Sequence, residues 1–364
     1  MHVQTFINIL VFIIVLGSII LIHELGHFIA AKLFGVYCGE FSMGMGPSLW
    51  HTKKGETEYH IRALPIGGYV AMAGEVDQED NESMKDVPFE RTIKGIKTWK
   101  QVVIMSAGVF MNLVLAIVLL VGVNMTQGAV AVDTNQIDVV LENGVAKEIG
   151  LQANDILTDV YFESTDTHYA INSMTDLNKA LSTKNNGIND KSAKAIITYQ
   201  RGSQSIEKEA MLPLNETTQA FYLGIQVPTR SLTFGEAIHY TISDVKEMSM
   251  MIFTTLGKLV TDSKNTISQL SGPAGIYQVT SEVTQSGQIS TLILLTAALS
   301  INVGIFNLLP IPGLDGSQIL FSLVEKAMGR PISTKVRYYL QLAGLMLVFG
   351  LMIIVTIQDV SRMF

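Results

Sequence analysis

Long runs of apolar residues divide this chain into segments that could cross a membrane and segments that suit water. Four runs, at about residues 5–29, 102–123, 289–309 and 339–357, approach the roughly 20 residues that a helix needs to span a bilayer. The segment 128–228 instead mixes polar and apolar residues in short alternating runs, typical of a β-rich soluble domain. The pattern therefore predicts a multi-pass α-helical membrane protein with four transmembrane helices and one β-rich domain outside the membrane.

The segments between these runs have patterns of their own. The stretch from Phe34 to Glu75 is rich in glycine, and Glu58 to Ala63 alternates like a strand, which favours a membrane-associated β-hairpin region. A plain cytoplasmic loop is the alternative. The predicted segments are a transmembrane helix at 1–32, the β-region at 33–76, a cytoplasmic loop at 77–100, a transmembrane helix at 101–124, an extracytoplasmic domain at 128–228, amphipathic helices on the outer membrane surface at 233–270, a transmembrane helix at 288–316, a cytoplasmic loop at 317–337 and a transmembrane helix at 338–358.

Composition agrees with an integral membrane protein. Of the 364 residues only 16% are charged, against about 25% in an average globular domain, and the mean hydropathy is +0.35. Membrane lipid is therefore an expected partner, whereas a net charge of −7 gives no reason to expect nucleic acid. Because Cys38 is the single cysteine, we expect no disulfide within this chain and no cysteine pair at a metal site.

The distribution of basic residues predicts the orientation in the membrane. Met1 to Thr5 lacks the basic residues of a signal peptide, so we expect the first apolar run to be retained as a span. Basic residues gather before the second run and between the third and fourth, while the C-terminal tail has only Arg362. The positive-inside rule then predicts that both termini are extracytoplasmic. The basic residues concerned are Lys94, Lys97, Lys100, Lys326, Arg330, Lys335 and Arg337.

The first apolar run leads directly into an H-E-x-x-H motif, His23-Glu24-Leu25-Gly26-His27. Residues four apart share a helix face, so His23 and His27 can both turn a ring nitrogen to one Zn²⁺, with Glu24 beside them to handle a proton. So short a motif also occurs by chance. An ionisable side chain in a membrane helix, however, costs roughly 2.5 to 3.5 kcal/mol in insertion assays, so three in one turn favour a metal site.

A catalytic zinc needs three protein ligands and one open position. At the end of the third run, Asn307 to Gly316 (NLLPIPGLDG) interrupts its helix with two prolines and two glycines and carries Asp315. Irregular backbone at membrane depth is tolerated only where protein or a water-filled cavity surrounds it. The alternative is an ordinary helix terminus with an Asp turn. Because the predicted topology brings both motifs to the cytoplasmic ends of their spans, we favour Asp315 as the third ligand.

These two motifs resemble those of a known family. HELGH at 23–27 and N-x-x-P-x-P-x-L-D-G at 307–316 occur in the order and spacing of the bacterial site-2 proteases, and the resemblance covers nearly the whole chain. Those proteins are zinc metalloproteases that cleave within membrane-spanning helices, and the chain is most similar to the branch typified by the sigma-E regulator protease. The resemblance implies zinc ligands at His23, His27 and Asp315, a catalytic base at Glu24, and a contact from Asn307 to the substrate backbone.

The resemblance extends to two further motifs. Met43 to Pro47 (MGMGP) resembles the G-x-G segment of a membrane-reentrant β-loop, which implies that Gly44, Met45 and Gly46 bind an unwound substrate as an added strand; methionine stands where phenylalanine is commoner. Around Asn112 the family's G-P-x-x-N becomes G-V-F-M-N, without the proline. We expect Asn112 to serve helix packing unless it faces the metal cavity.

The soluble segment 128–228 is similar to a single PDZ domain, although Gly144-Val145-Ala146 replaces the usual S-P-A and Asn154 replaces a glycine. The resemblance implies a bacterial inner or plasma membrane location. It also implies single-span membrane protein substrates, such as anti-sigma factors or signal-peptide remnants, cleaved in regulated intramembrane proteolysis.

Three other functions fit parts of the pattern. A catalytically inactive scaffold could keep the metal for structure and capture peptides with the soluble domain. A metal transporter should have acidic and His residues in several spans, whereas the second and fourth runs have none. A membrane-anchored peptidase acting on soluble loops takes its third ligand from a later helical Glu, and no predicted span offers one.

Overall fold

The computed structural model describes residues 2–75, 84, 86–188, 190–215, 217–262, 266 and 270–363. The chain forms two compact units. The first combines Met1–Asn124 with Phe234–Phe364, and the second is Met125–Thr233. Two stretches of the predicted segments, 77–83 with 85 in the first loop and 263–265 with 267–269 after the amphipathic helix, lie outside the described residues.

Ten α-helices and eleven strands are described. The helices are α1 (His2–Leu33), α2 (Thr98–Gln127), α3 (Val145–Glu148), α4 (Met174–Leu181), α5 (Thr183–Asn186), α6 (Phe234–Thr261), α7 (Pro273–Ser286), α8 (Ile289–Leu308), α9 (Asp315–Met328) and α10 (Thr334–Met363). The strands are β1 (Cys38–Lys54), β2 (Thr57–Met72), β3 (Ala129–Ala131), β4 (Val139–Val140), β5 (Ile156–Phe162), β6 (Thr167–Ala170), β7 (Ser192–Arg201), β8 (Gln204–Asn215), β9 (Ala220–Phe221), β10 (Ile225–Gln226) and β11 (Thr229–Ser231).

Four of these helices, α1, α2, α8 and α10, are long and apolar enough to cross a membrane. They contain the four apolar runs, apart from one residue at the end of the third, so the prediction of a membrane protein with four such helices is confirmed. Helix α1 matches its predicted bounds to within one residue, whereas α2 and α10 extend three to five residues past theirs. Polar residues at a helix end continue the backbone hydrogen-bond ladder once the apolar part has formed it.

The third span differs from its predicted bounds of 288–316. Helix α8 ends at Leu308, because Pro310 has no backbone N–H for the helical ladder and Gly313 has a positive φ of +96°. Asp315 then begins a new helix, α9, so most of the segment 317–337 that was predicted as a loop is helical. The sequence did not predict this helix because α9 is amphipathic: one face is polar, and the other packs Phe321 into the interior.

The amphipathic helix α6 packs part of its apolar stripe against other helices. Its residues Val245, Met248 and Ile252 recur at helical spacing and contact a buried cluster from α2 and α8. Asn124 at the end of α2 donates hydrogen bonds to the Thr241 hydroxyl at 3.0 Å and to the Asp244 carboxylate at 3.2 Å. The apolar stripe predicted between 233 and 270 therefore serves helix packing over its first half.

The glycine-rich segment after α1 folds as a β-hairpin and not as a plain loop. Strands β1 and β2 are joined at Gly55, whose φ of +65° favours glycine. Residues Glu40 to Met43 each pair with two partners, one from 58–61 and one from 68–71, so this part of β1 lies inside the sheet. Phe41 and Val70 pack with Ala30 of α1 and Ile104 of α2, which seats the hairpin against both helices.

The second unit is built on a five-stranded antiparallel sheet with the order β6-β5-β7-β8-β9. Alternating residues of the central strands, such as Ala193, Ala195, Ile197 and Tyr199 of β7, enter its hydrophobic core. Helix α4 covers the core with Leu177, and two short ribbons, β3–β11 and β4–β10, complete the unit. The predicted β-rich character of 128–228 is therefore observed.

An ion pair between a buried carboxylate and a partly exposed arginine stabilises this unit. Asp155 is 1% exposed and accepts two hydrogen bonds from Arg201, at 2.8 and 2.7 Å, and one from the N–H of Gln152. Burial alone would raise the pKa of this carboxyl, but those hydrogen bonds outweigh it, so its pKa lies below the ordinary value. The pair therefore stabilises the folded unit wherever Asp155 is ionised.

Replacing Asp155 by Ala should lower the free energy of unfolding of this unit by about 2–3 kcal/mol at pH 7, because it leaves Arg201 without its carboxylate. Since the folded pKa is depressed, the stabilisation is present above the unfolded value of about 3.9 and declines as the pH falls through the folded value. Both effects are measured on the full-length protein in micelles. The quantity measured is the urea concentration at which the backbone amides of β5 and β7 become half labelled by a deuterium pulse.

The matched control is Lys147→Ala, which breaks the exposed 3.3 Å pair with Glu142 and should cost less than about 1 kcal/mol. Equal losses in the two variants would contradict the account.

Candidate metal centre

The H-E-x-x-H motif lies in the last third of α1, where the helix is enclosed by its neighbours. His23 and His27 are one turn apart and are 6% and 5% exposed. Their Nε2 atoms lie 3.1 Å from each other. Helical spacing thus brings both ring nitrogens to one point, as the sequence predicted.

Asp315 reaches the same point from the first turn of α9. Its Oδ2 lies 3.0 Å from Nε2 of His23 and 3.2 Å from Nε2 of His27. The turn that positions it is tight, because a Cβ at Gly316 would collide with the carbonyl oxygens of Leu308 and Leu309. Glycine is therefore required at 316 for the chain to fold back and present Asp315 to α1.

The three ligand atoms have the spacing of a small divalent cation site. Bonds of about 2.0–2.1 Å in a tetrahedron separate neighbouring ligands by about 3.3 Å, close to the distances of 3.0–3.2 Å between these atoms. Two imidazoles and one carboxylate are also a donor set that zinc accepts. Among the described residues, this is the one group of His, Cys, Asp and Glu side chains close enough together to hold a metal ion.

One face of α2 lines the two histidines. Nδ1 of His27 lies 2.8 Å from the carbonyl oxygen of Ile104, so its N–H donates there and leaves Nε2 free as a ligand. One turn further, a Cβ at Gly108 would lie 2.8 Å from Nε2 of His23 and would overlap Nε2 of His27. Neither residue was predicted as part of the site. Gly108 was the one signal in the sequence that could have indicated this contact, since a close approach of two helices favours small residues.

Asn112, another turn along α2, is fully buried and has its Nδ2 atom 3.3 Å from Nδ1 of His23. The sequence left its role open between helix packing and the metal cavity. In the structure its side chain faces His23 of the candidate metal site.

Glu24 stands at the edge of a cavity of about 1240 Å³ that His27 and Asp315 also line. The missing side chain of Gly68 in β2 makes room for it, since a Cβ there would lie 3.3 Å from Cγ of Glu24. Polar side chains continue the cavity wall along α9 and the start of α10, at Gln318, Ser322, Glu325 and Arg337. Glu24 therefore lines the same space as His27 and Asp315, and that space is large enough to hold water and peptide.

Three of the four residues implied as substrate contacts, Gly44, Met45 and Gly46, lie in irregular backbone. Gly44 and Gly46 have φ angles of +86° and +85°, and Met45 between them is 50% exposed. A Cβ at Gly44 would strike the carbonyl of Leu64, so the glycine is needed for the two chains to approach. Asn307 lies half-buried in the last turn of α8, and no hydrogen bond of its side chain occurs among the described residues.

Comparison with known proteins gives a consistent result. Residues 11–351 match Peptidase family M50. The zinc metalloprotease RasP of Bacillus licheniformis is 31% identical, with 98% of this chain and 99% of the relative aligned. The regulator of sigma-W protease RasP of Bacillus subtilis is 29% identical, with 99% of this chain and 100% of the relative aligned.

Replacing Gly108 by Ala should weaken zinc binding at least about tenfold, because the new methyl group would occupy the space of both imidazoles. Zinc retained per chain during dialysis against graded chelator, measured by mass spectrometry, gives the affinity. Gly122→Ala on the same helix is the control, since its Cβ would meet no atom within 4 Å. A Gly108→Ala protein that holds zinc as tightly as the control would contradict this geometry.

Proposed function

The chain belongs to peptidase family M50, and from this membership and the metal centre we propose that it is an intramembrane protease that hydrolyses peptide bonds within transmembrane segments of membrane-anchored proteins. That it is a zinc metalloprotease follows from the family and its relatives. The observation that carries the finer proposal is the approach of His23, His27 and Asp315 to within 3.2 Å of one another, with the two histidines in a helix of membrane length.

His23, His27 and Asp315 hold the zinc ion in this proposal, and Glu24 is the catalytic base. When bound, zinc supplies Lewis acidity that polarises the scissile carbonyl and activates water at neutral pH. Glu24 accepts a proton from the attacking water at its carboxylate and then donates it to the leaving amine. Its location on the cavity wall supports this role, because the carboxylate must reach both water and peptide.

A peptide bond inside a helix has its carbonyl hydrogen-bonded within that helix, so a transmembrane substrate must unwind before it is cut. The backbone freed by unwinding needs new partners, and strand addition supplies them. We assign this role to Gly44, Met45 and Gly46, supported by the irregular pairing of this part of β1 and by the exposure of Met45 and Gly46. We assign to Asn307 a contact with the substrate backbone. Residues 40–43 are less suitable, since they already pair on both sides.

The substrate class is that of single-span membrane proteins, including anti-sigma factors and the remnants of signal peptides, in regulated intramembrane proteolysis. The name of the Bacillus subtilis relative, a regulator of sigma-W protease, supports the first of these. The cavity supports a peptide substrate, because its wall combines apolar side chains with polar groups that can pair with an unwound backbone.

The protein is a membrane protein, and its orientation is part of the proposal. We place both termini on the extracytoplasmic side of a bacterial plasma membrane. Lys32 in the last turn of α1 adds to the basic residues before α2 and between α8 and α10, which supports one cytoplasmic side for these helix ends. We also propose that the unit Met125–Thr233 is an extracytoplasmic, PDZ-like domain; its five-stranded sheet supports that fold.

Replacing Glu24 by Gln tests the mechanism, because the amide keeps the shape but cannot accept a proton. Cleavage of a single-span substrate in micelles should fall at least about 100-fold, while zinc content stays at the wild-type value. Wild-type cleavage by the variant would refute the assignment of Glu24. A wild-type chain that binds zinc and cleaves none of a panel of single-span substrates would instead identify a scaffold.

A further inference from the structure

Three consecutive turns of α2 approach the two histidines. Ile104, Gly108 and Asn112 are four residues apart and so share one helix face. Ile104 accepts the Nδ1 proton of His27, Gly108 leaves the space that the rings occupy, and Asn112 contacts Nδ1 of His23. The role of Asn112 in this series depends on which end of its amide faces the ring.

The observed contact joins Nδ2 of Asn112 to Nδ1 of His23 at 3.3 Å, while Oδ1 of Asn112 is buried and has no hydrogen-bond partner among the described residues. Nδ2 carries two protons and only donates, so this contact requires a bare Nδ1 on the imidazole. A neutral imidazole with a bare Nδ1 carries its proton on Nε2. That nitrogen is the one that lies 3.0 Å from Asp315, and a protonated nitrogen cannot be a metal ligand.

The two ends of an asparagine amide have nearly the same shape, and a rotation of 180° exchanges them. After this exchange Oδ1 accepts the Nδ1 proton of His23, and Nε2 becomes a bare ligand nitrogen. The buried oxygen that had no partner then has one. His27 already has this arrangement through Ile104, so both histidines would present Nε2 in the same protonation form.

We propose that Asn112 is a positioning residue of the metal centre, whose side-chain carbonyl accepts the Nδ1 proton of His23 and so fixes the imidazole in its metal-binding tautomer. The proposal rests on the proposed function only in that His23 is taken to bind zinc through Nε2. Second partners of this kind orient ligand histidines and increase their basicity, and losing one typically weakens metal binding roughly 10- to 100-fold.

Helix packing does not account for this side chain. The hydrogen bond that joins α2 to α8 here runs from Oγ of Ser300 to the backbone oxygen of Asn112, at 2.8 Å. That bond involves no atom of the side-chain amide. A Cβ added at Gly304 of α8 would lie 3.5 Å from Cβ of Asn112, so α8 approaches this side chain at its base. The amide group is therefore directed to His23 and not to the neighbouring helix.

Three variants of the full-length protein in micelles separate positioning from packing. Asn112→Leu keeps the volume and removes the acceptor, Asn112→Asp keeps an acceptor oxygen, and Ser300→Ala removes the adjacent helix contact. Zinc affinity is measured by chelator competition, and the visible spectrum of the Co²⁺-loaded protein reports on ligand geometry. We expect roughly 10- to 100-fold weaker zinc binding for Asn112→Leu, with an altered Co²⁺ spectrum, and near wild-type values for Asn112→Asp and Ser300→Ala.

Equal zinc affinities for Asn112→Leu and the wild type would overturn the positioning role, as would equal losses in Asn112→Leu and Asn112→Asp. Thermal unfolding of the metal-free proteins identifies a variant that has lost its fold. If Asn112→Leu is such a variant, the same test is made by comparing Asn112→Thr, which keeps an oxygen, with Asn112→Val, which has the same shape without that oxygen. A wild type that binds zinc but cleaves no peptide would refute the proposed function alone.

Discussion

The first unit depends on three hydrogen-bond acceptor atoms that lie close together in an apolar environment. Nε2 of His23, Nε2 of His27 and Oδ2 of Asp315 lie within 3.2 Å of one another. All three are acceptors when unprotonated, so the cluster needs a proton or a cation between them. Buried polar groups of this kind are costly unless they are paired or coordinate a metal. A divalent ion satisfies all three at once, which is why a bound zinc ion explains the arrangement better than a hydrogen-bond network does.

The surrounding backbone is shaped to allow that meeting. Glycine allows α1 and α2 to touch, because a Cβ at Gly26 would overlap the carbonyl of Ala107 and one at Gly108 would overlap the imidazoles. The break between α8 and α9 turns the chain so that Asp315 begins a helix, where a carboxylate is also favoured by the helix dipole. The hairpin then packs on α1 and α2 and brings Gly68 against Glu24. Each of these elements thus shapes the small volume around the two histidines, Asp315 and Glu24.

The sequence predicted the parts of this site that have a local signature. Their spacing alone places residues 23 and 27 on one helix face, and Pro310 with Gly313 predicts a helix break before Asp315. The extent of α9 was not predictable in the same way, because its polar face resembles a loop until the neighbour that covers Phe321 is known. Ile104 could not be identified at all, since it contributes a backbone carbonyl and any residue has one. Asn112 was a visible polar residue, but only its distance to His23 distinguishes a ligand partner from a packing contact.

X-ray absorption at the zinc edge, on the purified full-length protein and on Asp315→Ala, tests the convergence of these side chains most directly. The account predicts one zinc per chain with two imidazole nitrogens and oxygen ligands at about 2.0–2.2 Å, and a loss of bound zinc when the Asp315 carboxylate is removed. A wild-type zinc shell without imidazole, or an unchanged shell and zinc content in the Asp315→Ala protein, would contradict it.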